Sequence, residues 1–221
     1  MIFGEPIKIL AVGSHPDDIE LGCGGFIAKC IAHGHEVHYA ALSPCRKNTG
    51  LDHASDTLVN EAMKATVTLG IKEENITIFD FENTMFPLHA HEIRGTLEGV
   101  RKRVKPALVL CPSTTDPHQD HATAGMETLR TFRSGEFIFA YELLRHGSYL
   151  FDPNLFVDIS DHIETKIKAL LCYKSQAGKR SYFTPKAFRA LASTRAAQAG
   201  HGYDPKTYSY AEAFIIIKMY L

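Results

Sequence analysis

The sequence predicts a layered α/β fold with a mostly parallel central sheet flanked by helices. Residues 8–12 (KILAV) and 107–111 (ALVLC) are short, unbroken apolar runs, as expected of strands covered on both faces. Segments with apolar residues at helical spacing alternate with these runs. The first three segments follow as strand, helix and strand, the βαβ unit whose crossover makes the two strands parallel.

The elements follow in order. After the strand at 8–12, closed by Gly13 and Ser14, residues 21–32 place Leu21, Phe26, Ile27, Cys30 and Ile31 at helical spacing, with Gly34 as C-cap. Residues 36–42 (EVHYAAL) form the second strand. Residues 56–69 repeat the helical pattern through Leu58, Ala62, Ala65 and Leu69, stop at Gly70, and lead to a strand at 75–79 (NITIF). Residues 91–104 are a charged helix ended by Pro106, and the strand at 107–111 is closed by Pro112. Helices at 122–132, 163–173 and 186–199, and strands at 137–144 and 213–219 (AFIIIKM), complete the pattern. No repeat, low-complexity tract or linker divides the chain, so residues 1–221 are expected to form a single domain.

Composition narrows the function. With 24 Lys and Arg against 25 Asp and Glu, the chain carries no charge excess suited to nucleic acid. A hydrophobic share of 45% with 22% charged residues is that of a folding chain. The five cysteines are odd in number and form no CxxC pair, which fits a reducing compartment better than a disulfide framework. No apolar run approaches the roughly 18 to 20 residues of a membrane span, and no signal peptide opens the sequence, so a cytoplasmic location is expected. Twelve histidines in a chain without tryptophan direct attention to metal-ligand spacing.

In open parallel sheets, ligands sit beyond the carboxyl ends of the strands. After the first strand comes His15-Pro16-Asp17-Asp18; after the fourth comes Asp116-Pro117-His118-Gln119-Asp120-His121. Side by side, these loops would pool three histidines and four aspartates. His15, Asp18 and His121 supply the three ligands of a catalytic zinc, which keeps a further position for water. Asp17 is placed to take a proton from that water, and His118 to protonate a leaving amine. Asp120 or Asp116 would orient an imidazole. A lone HxxD motif would more often be a packed histidine beside a helix cap, but two such clusters after two strands favour the metal. The glycines of Gly22-Cys23-Gly24-Gly25 lack dinucleotide-fingerprint spacing, and neither a P-loop nor a GxSxG elbow is present.

These residues resemble the PIG-L/LmbE-like zinc-dependent deacetylases, which remove acetyl groups from N-acetylglucosamine-type substrates. His15 to Asp18 with Glu20 and Gly22 to Gly25 resembles the family's first motif, and Asp116 to His121 its second. Tyr141-Glu142, Pro153-Asn154, Phe156 to Ser160, Ser175-Gln176 and Tyr210 to Phe214 (YAEAF) also look familial. The resemblance implies a Rossmann-like fold, frequent homo-oligomerisation, His15, Asp18 and His121 as ligands of zinc or another divalent transition metal, Asp17 as base and His118 as catalytic histidine. The substrate it implies is a small N-acetylated sugar. Other readings are hydrolysis of a different acyl amide, such as an acylated antibiotic sugar, and a non-catalytic sugar- or nucleotide-binding module. Many relatives carry an arginine one turn before the glutamate that resembles Glu61; here Thr57 and Leu58 stand there, making Arg46 or Lys47 the candidate substitute.

Overall fold

In the computed structural model, which describes residues 4–46, 56–145, 150–200 and 210–219, the chain builds one seven-stranded sheet. Its strands are β1 (Lys8–Gly13), β2 (Glu36–Ala41), β3 (Ile76–Ile78), β4 (Leu108–Pro112), β5 (Phe137–Tyr141), β6 (Leu155–Asp158) and β7 (Ala211–Lys218). The order is β3-β2-β1-β4-β5-β7-β6. β1 to β5 are mutually parallel; β7 runs antiparallel to both β5 and β6. The helices are α1 (Asp18–Ala32), α2 (Thr57–Leu69), α3 (Ala90–Val104), α4 (Gln119–Thr131), α5 (Ile163–Leu170) and α6 (Pro185–Gln198).

Side chains alternate across each strand, and in β1 both sets are buried. Ile9 and Ala11 join the core beneath α1, α2 and α5, with Ile19, Phe26, Leu58, Leu69 and Leu170. Leu10 and Val12 join the opposite core beneath α3 and α4, with Ile93, Leu97, Val100 and Ala124. This two-sided cover explains why KILAV and ALVLC read as continuous apolar runs. No helix among the described residues is long and apolar enough to cross a membrane.

The structure agrees with the predicted class and adjusts its elements. α1 begins at Asp18 rather than at residue 21, and it contains a break: Cys23 has non-helical angles (φ −143°, ψ 20°). β5 ends at Tyr141, and α5 ends at Leu170. β6 escaped prediction because it is a four-residue edge strand with only Val157 buried, too short to display an alternation.

The site follows from the strand order. β1 connects through α1 to β2 on one side, while β4 lies on its other side and feeds α4 on the opposite face of the sheet. Chain exits from β1 and β4 therefore diverge, and their loops flank a crevice at the carboxyl ends of adjacent strands.

Candidate metal centre and active-site cleft

The loop after β1 is folded around Asp18. Its Oδ2 accepts the backbone N–H groups of Ser14 (3.0 Å) and His15 (2.9 Å), which turns the loop back on the start of α1. Ser14 Oγ donates to the carbonyl of Asp120 (3.2 Å), tying this loop to α4. Across the crevice, His15 Nδ1 faces His121 Nε2 at 3.2 Å. Asp18 Oδ2 lies 3.5 Å from His15 Nδ1, and its Oδ1 lies 3.4 Å from His121 Nε2. The donor atoms of His15, Asp18 and His121 fall within 4.8 Å of one another.

The outward nitrogens decide what this cluster can hold. His15 Nε2 is 3.1 Å from Asp120 Oδ2, and His121 Nδ1 is 3.1 Å from Asp116 Oδ2. A carboxylate at each outward nitrogen keeps the ring proton there, so both inward nitrogens present lone pairs to each other and to Asp18. Such an arrangement repels itself unless positive charge sits at its centre. Without an ion, protons take that place: burial opposes a charge on His15, but Asp18 and Asp120 outweigh it and raise its pKa to about 10. Burial likewise opposes a charge on His121, yet Asp18 and Asp116 raise its pKa to about 9. Two imidazoles and a carboxylate suit zinc or a similar divalent transition metal.

A second triple, His15, His118 and Asp120, also falls within 4.8 Å. Its oxygens are already engaged: Asp120 accepts the N–H groups of Thr84 (2.5 Å) and Phe86 (3.2 Å). Thr84 has φ 69°, a strained conformation for a β-branched residue, and this hydrogen bond helps hold it.

Asp17 stands at the N-cap position of α1 yet makes no capping hydrogen bond, leaving its carboxylate to the cleft. Burial, and then the negative charge of Asp18, raise its pKa to about 7. His118 caps α4: its Nδ1 accepts the N–H of Asp120 (3.2 Å), and its own N–H donates to Asp116 (2.8 Å). Burial, and then the charges of His121 and His15, lower its pKa to about 4, so the ring is neutral with its proton on Nε2.

The structure thus brings together all seven residues expected from the sequence, with Asp120 and Asp116 each holding one imidazole. The surrounding cleft, about 190 Å³, adds residues that the sequence did not reveal, including Asn83, Thr84, Leu143, Arg145, Arg180 and Tyr182. Arg180 donates to Gln176 (2.7 Å), and Arg145 lies 5.5 Å from the Tyr182 ring centre. No local motif marks them. Arg46 is turned toward Asp56 and Asp80 and does not line the cleft. Lys47, His53, His146 and His201 lie outside the described residues.

The PIG-L family model, described as GlcNAc-PI de-N-acetylase, matches residues 10–132, a span holding both site loops. Over 195 residues the chain is 31% identical to the diacetylchitobiose deacetylase of Thermococcus kodakarensis, covering 79% of this chain and 72% of that protein. The chain belongs to the PIG-L family of deacetylases. Among solved structures, N,N'-diacetylchitobiose deacetylase from Pyrococcus horikoshii superposes with a TM-score of 0.80 at 24% identity, over 97% of this chain and 85% of that one. GalB, the 4-carboxy-2-hydroxymuconate hydratase of Pseudomonas putida KT2440, gives 0.80 at 23% identity, over 97% and 98%. A hydratase shares the PIG-L fold, so the reaction must be argued from the site.

Proposed function

We propose that the protein is a zinc-dependent hydrolase that removes the acetyl group from an N-acetylglucosamine-type amino sugar or its conjugate. The observation that carries this reading is the inward-facing donor set of His15, Asp18 and His121, each imidazole held from behind by a carboxylate. Membership of a deacetylase family supports the reaction class, and the relatives' action on diacetylchitobiose supports the sugar.

A zinc ion bound there would act as a Lewis acid toward the acyl oxygen and lower the pKa of water. The remaining chemistry belongs to the chain. Asp17, with a pKa near neutrality and no capping duty, takes a proton from the attacking water and can return it to the departing amine. His118 aims a neutral imidazole with its proton on Nε2, a donor suited to the oxygen that gains charge as the amide carbon becomes tetrahedral. Leu21, Leu58, Leu143 and Tyr182 supply apolar walls for the sugar face and the acetyl methyl. At about 190 Å³ the cleft is smaller than the roughly 300–1,000 Å³ of drug-sized pockets, so one sugar unit fits and any conjugate extends outward.

Acetate release from a panel of N-acetylglucosamine compounds, with chelated and zinc-restored enzyme compared, tests the reading. Chelator-sensitive release is expected. No release from any member, with zinc bound at the site, would overturn it.

A further inference from the structure

Two motifs contribute little to the cleft. Gly22-Cys23-Gly24-Gly25 lies in α1 and YAEAF at the start of β7, with Tyr210 just before the strand, yet they meet, with Lys166 of α5, at the break in α1. Upstream of Cys23 the short first half of the helix carries Asp18 and Leu21; downstream runs the longer half that packs in the core. At a break, carbonyls of the first half and N–H groups of the second lose their intrahelical partners. Here each set is met by a buried charge. Glu212 accepts the N–H groups of Gly25 (2.9 Å) and Phe26 (2.7 Å), an anion at the start of the second half. Lys166 Nζ donates to the carbonyl of Leu21 (2.7 Å) and to Glu212 Oε1 (2.6 Å). Both residues are 5% exposed.

The glycines give this arrangement its room. A Cβ on Gly22 would lie 2.1 Å from the Tyr141 ring, and one on Gly25 would lie 2.6 Å from Ile159, so side chains there would push α1 off the sheet and away from the pair. A buried ion pair is weak evidence of stabilisation, because desolvation offsets much of its attraction. Its placement across a break one turn from Asp18 calls for a different explanation.

We propose that Lys166 and Glu212 are positioning residues for the metal centre: they bridge the break in α1 and fix the first half of the helix, and with it Asp18, relative to His15 and His121. The inference rests on reading those three residues as metal ligands. Removing the bridge frees the Asp18 segment while leaving the core intact.

The experiment compares wild type with Glu212→Gln and Lys166→Met. Zinc affinity is measured by chelator competition, kcat and KM separately on an accepted substrate, and the thermal midpoint without metal. A loss of about 10–100-fold in zinc affinity, the scale of disturbed outer-shell support, is expected, together with a fall in kcat and little change in KM. Wild-type zinc affinity in both variants, with only a lower midpoint, would overturn the proposal; wild type that binds no zinc would instead remove the metal reading. Hydrogen exchange on the metal-free wild type tests the bridge even if neither variant folds. Amides of residues 21–23, at the end of the first half, should be protected to the same degree as those of the downstream half, and rapid exchange confined to the first half would show that the pair does not hold it.

Discussion

Asp17 and Asp18 are adjacent in sequence and opposite in electrostatic character. Burial alone would raise both pKa values, but the facing imidazoles of His121 and His15 drive Asp18 well below the usual carboxylate range, whereas Asp17 is raised by burial and by Asp18 itself. One is therefore a permanent anion suited to a cation, the other a base poised near neutrality. Asp17→Asn should retain zinc and lose about 10²–10⁴ in kcat, the range for lost acid–base catalysis; zinc titration beside steady-state kinetics checks both parts, and near-wild-type turnover would contradict the role. Asp120→Asn keeps the size of the group that holds His15 Nε2 but not its charge, so zinc affinity should fall by about 10–100-fold, read by the same titration. The clustering of these residues was legible because ligands at a switch point come from short segments after two identifiable strands. Arg180 and Tyr182 were not, since they reach the cleft from the segment after α5, and only tertiary packing, such as Glu61 accepting from Ser175 (2.9 Å from the backbone N–H, 2.6 Å from the hydroxyl), brings it there.

Among the elements, the parallel strands and the late strand β7 were readable and the edge strand β6 was not. Strands covered on both faces advertise themselves by unbroken hydrophobicity, while β6 offers four residues and a single buried side chain. The break in α1 was hidden for another reason: Gly22 to Gly25 signal close approach, but the groups that make a break tolerable, Lys166 and Glu212, are supplied by α5 and β7. A smaller junction, from α1 to β2, depends on His35, whose Nδ1 accepts the N–H of Ile7 (3.1 Å) just before β1. Burial, and then the charge of His33, lower its pKa, so the fold favours the neutral ring. A base with a depressed folded pKa contributes its stability above the unfolded value near 6.5 and loses it as pH falls. His35→Ala removes the acceptor of that part-buried N–H and should destabilise the protein by about 0.5–1.5 kcal/mol at pH 7. The difference should narrow at pH 5, where protonation already weakens the wild-type contact. Urea titrations at both pH values measure it, and a difference that is unchanged or larger at pH 5 would refute the assignment.

For the whole molecule, the candidate metal centre sits at the rim of a sheet whose two cores lie beneath the flanking helices. Ile9, Leu10, Val12, Val109 and Leu110 are completely buried by helices on both faces, and none of the five lines the cleft, which the core touches at its edge through residues such as Leu58 and Leu143. Removal of the metal should therefore leave a folded protein, unlike small zinc modules whose folding is the binding event. The fold should nevertheless register the loss. An ion bound to the native state alone, present at a free concentration 100-fold above its Kd, adds about 2.7 kcal/mol of stability. For a domain of this size each kcal/mol moves the melting midpoint by about 2–4 °C, so chelation should lower Tm by about 5–11 °C. In its place His15 and His121 take up protons, their pKa values of about 10 and 9 keeping the inward nitrogens from facing each other as bare lone pairs at neutral pH. Circular dichroism melts with chelator and with restored zinc separate the outcomes. Loss of helical signal at 25 °C on chelation would mean that the ion is a structural strut, and coincident melts would mean that no ion binds there. A shift within the expected range, with the native spectrum kept, would match a site placed on a finished scaffold, where the ion serves the chemistry rather than the fold.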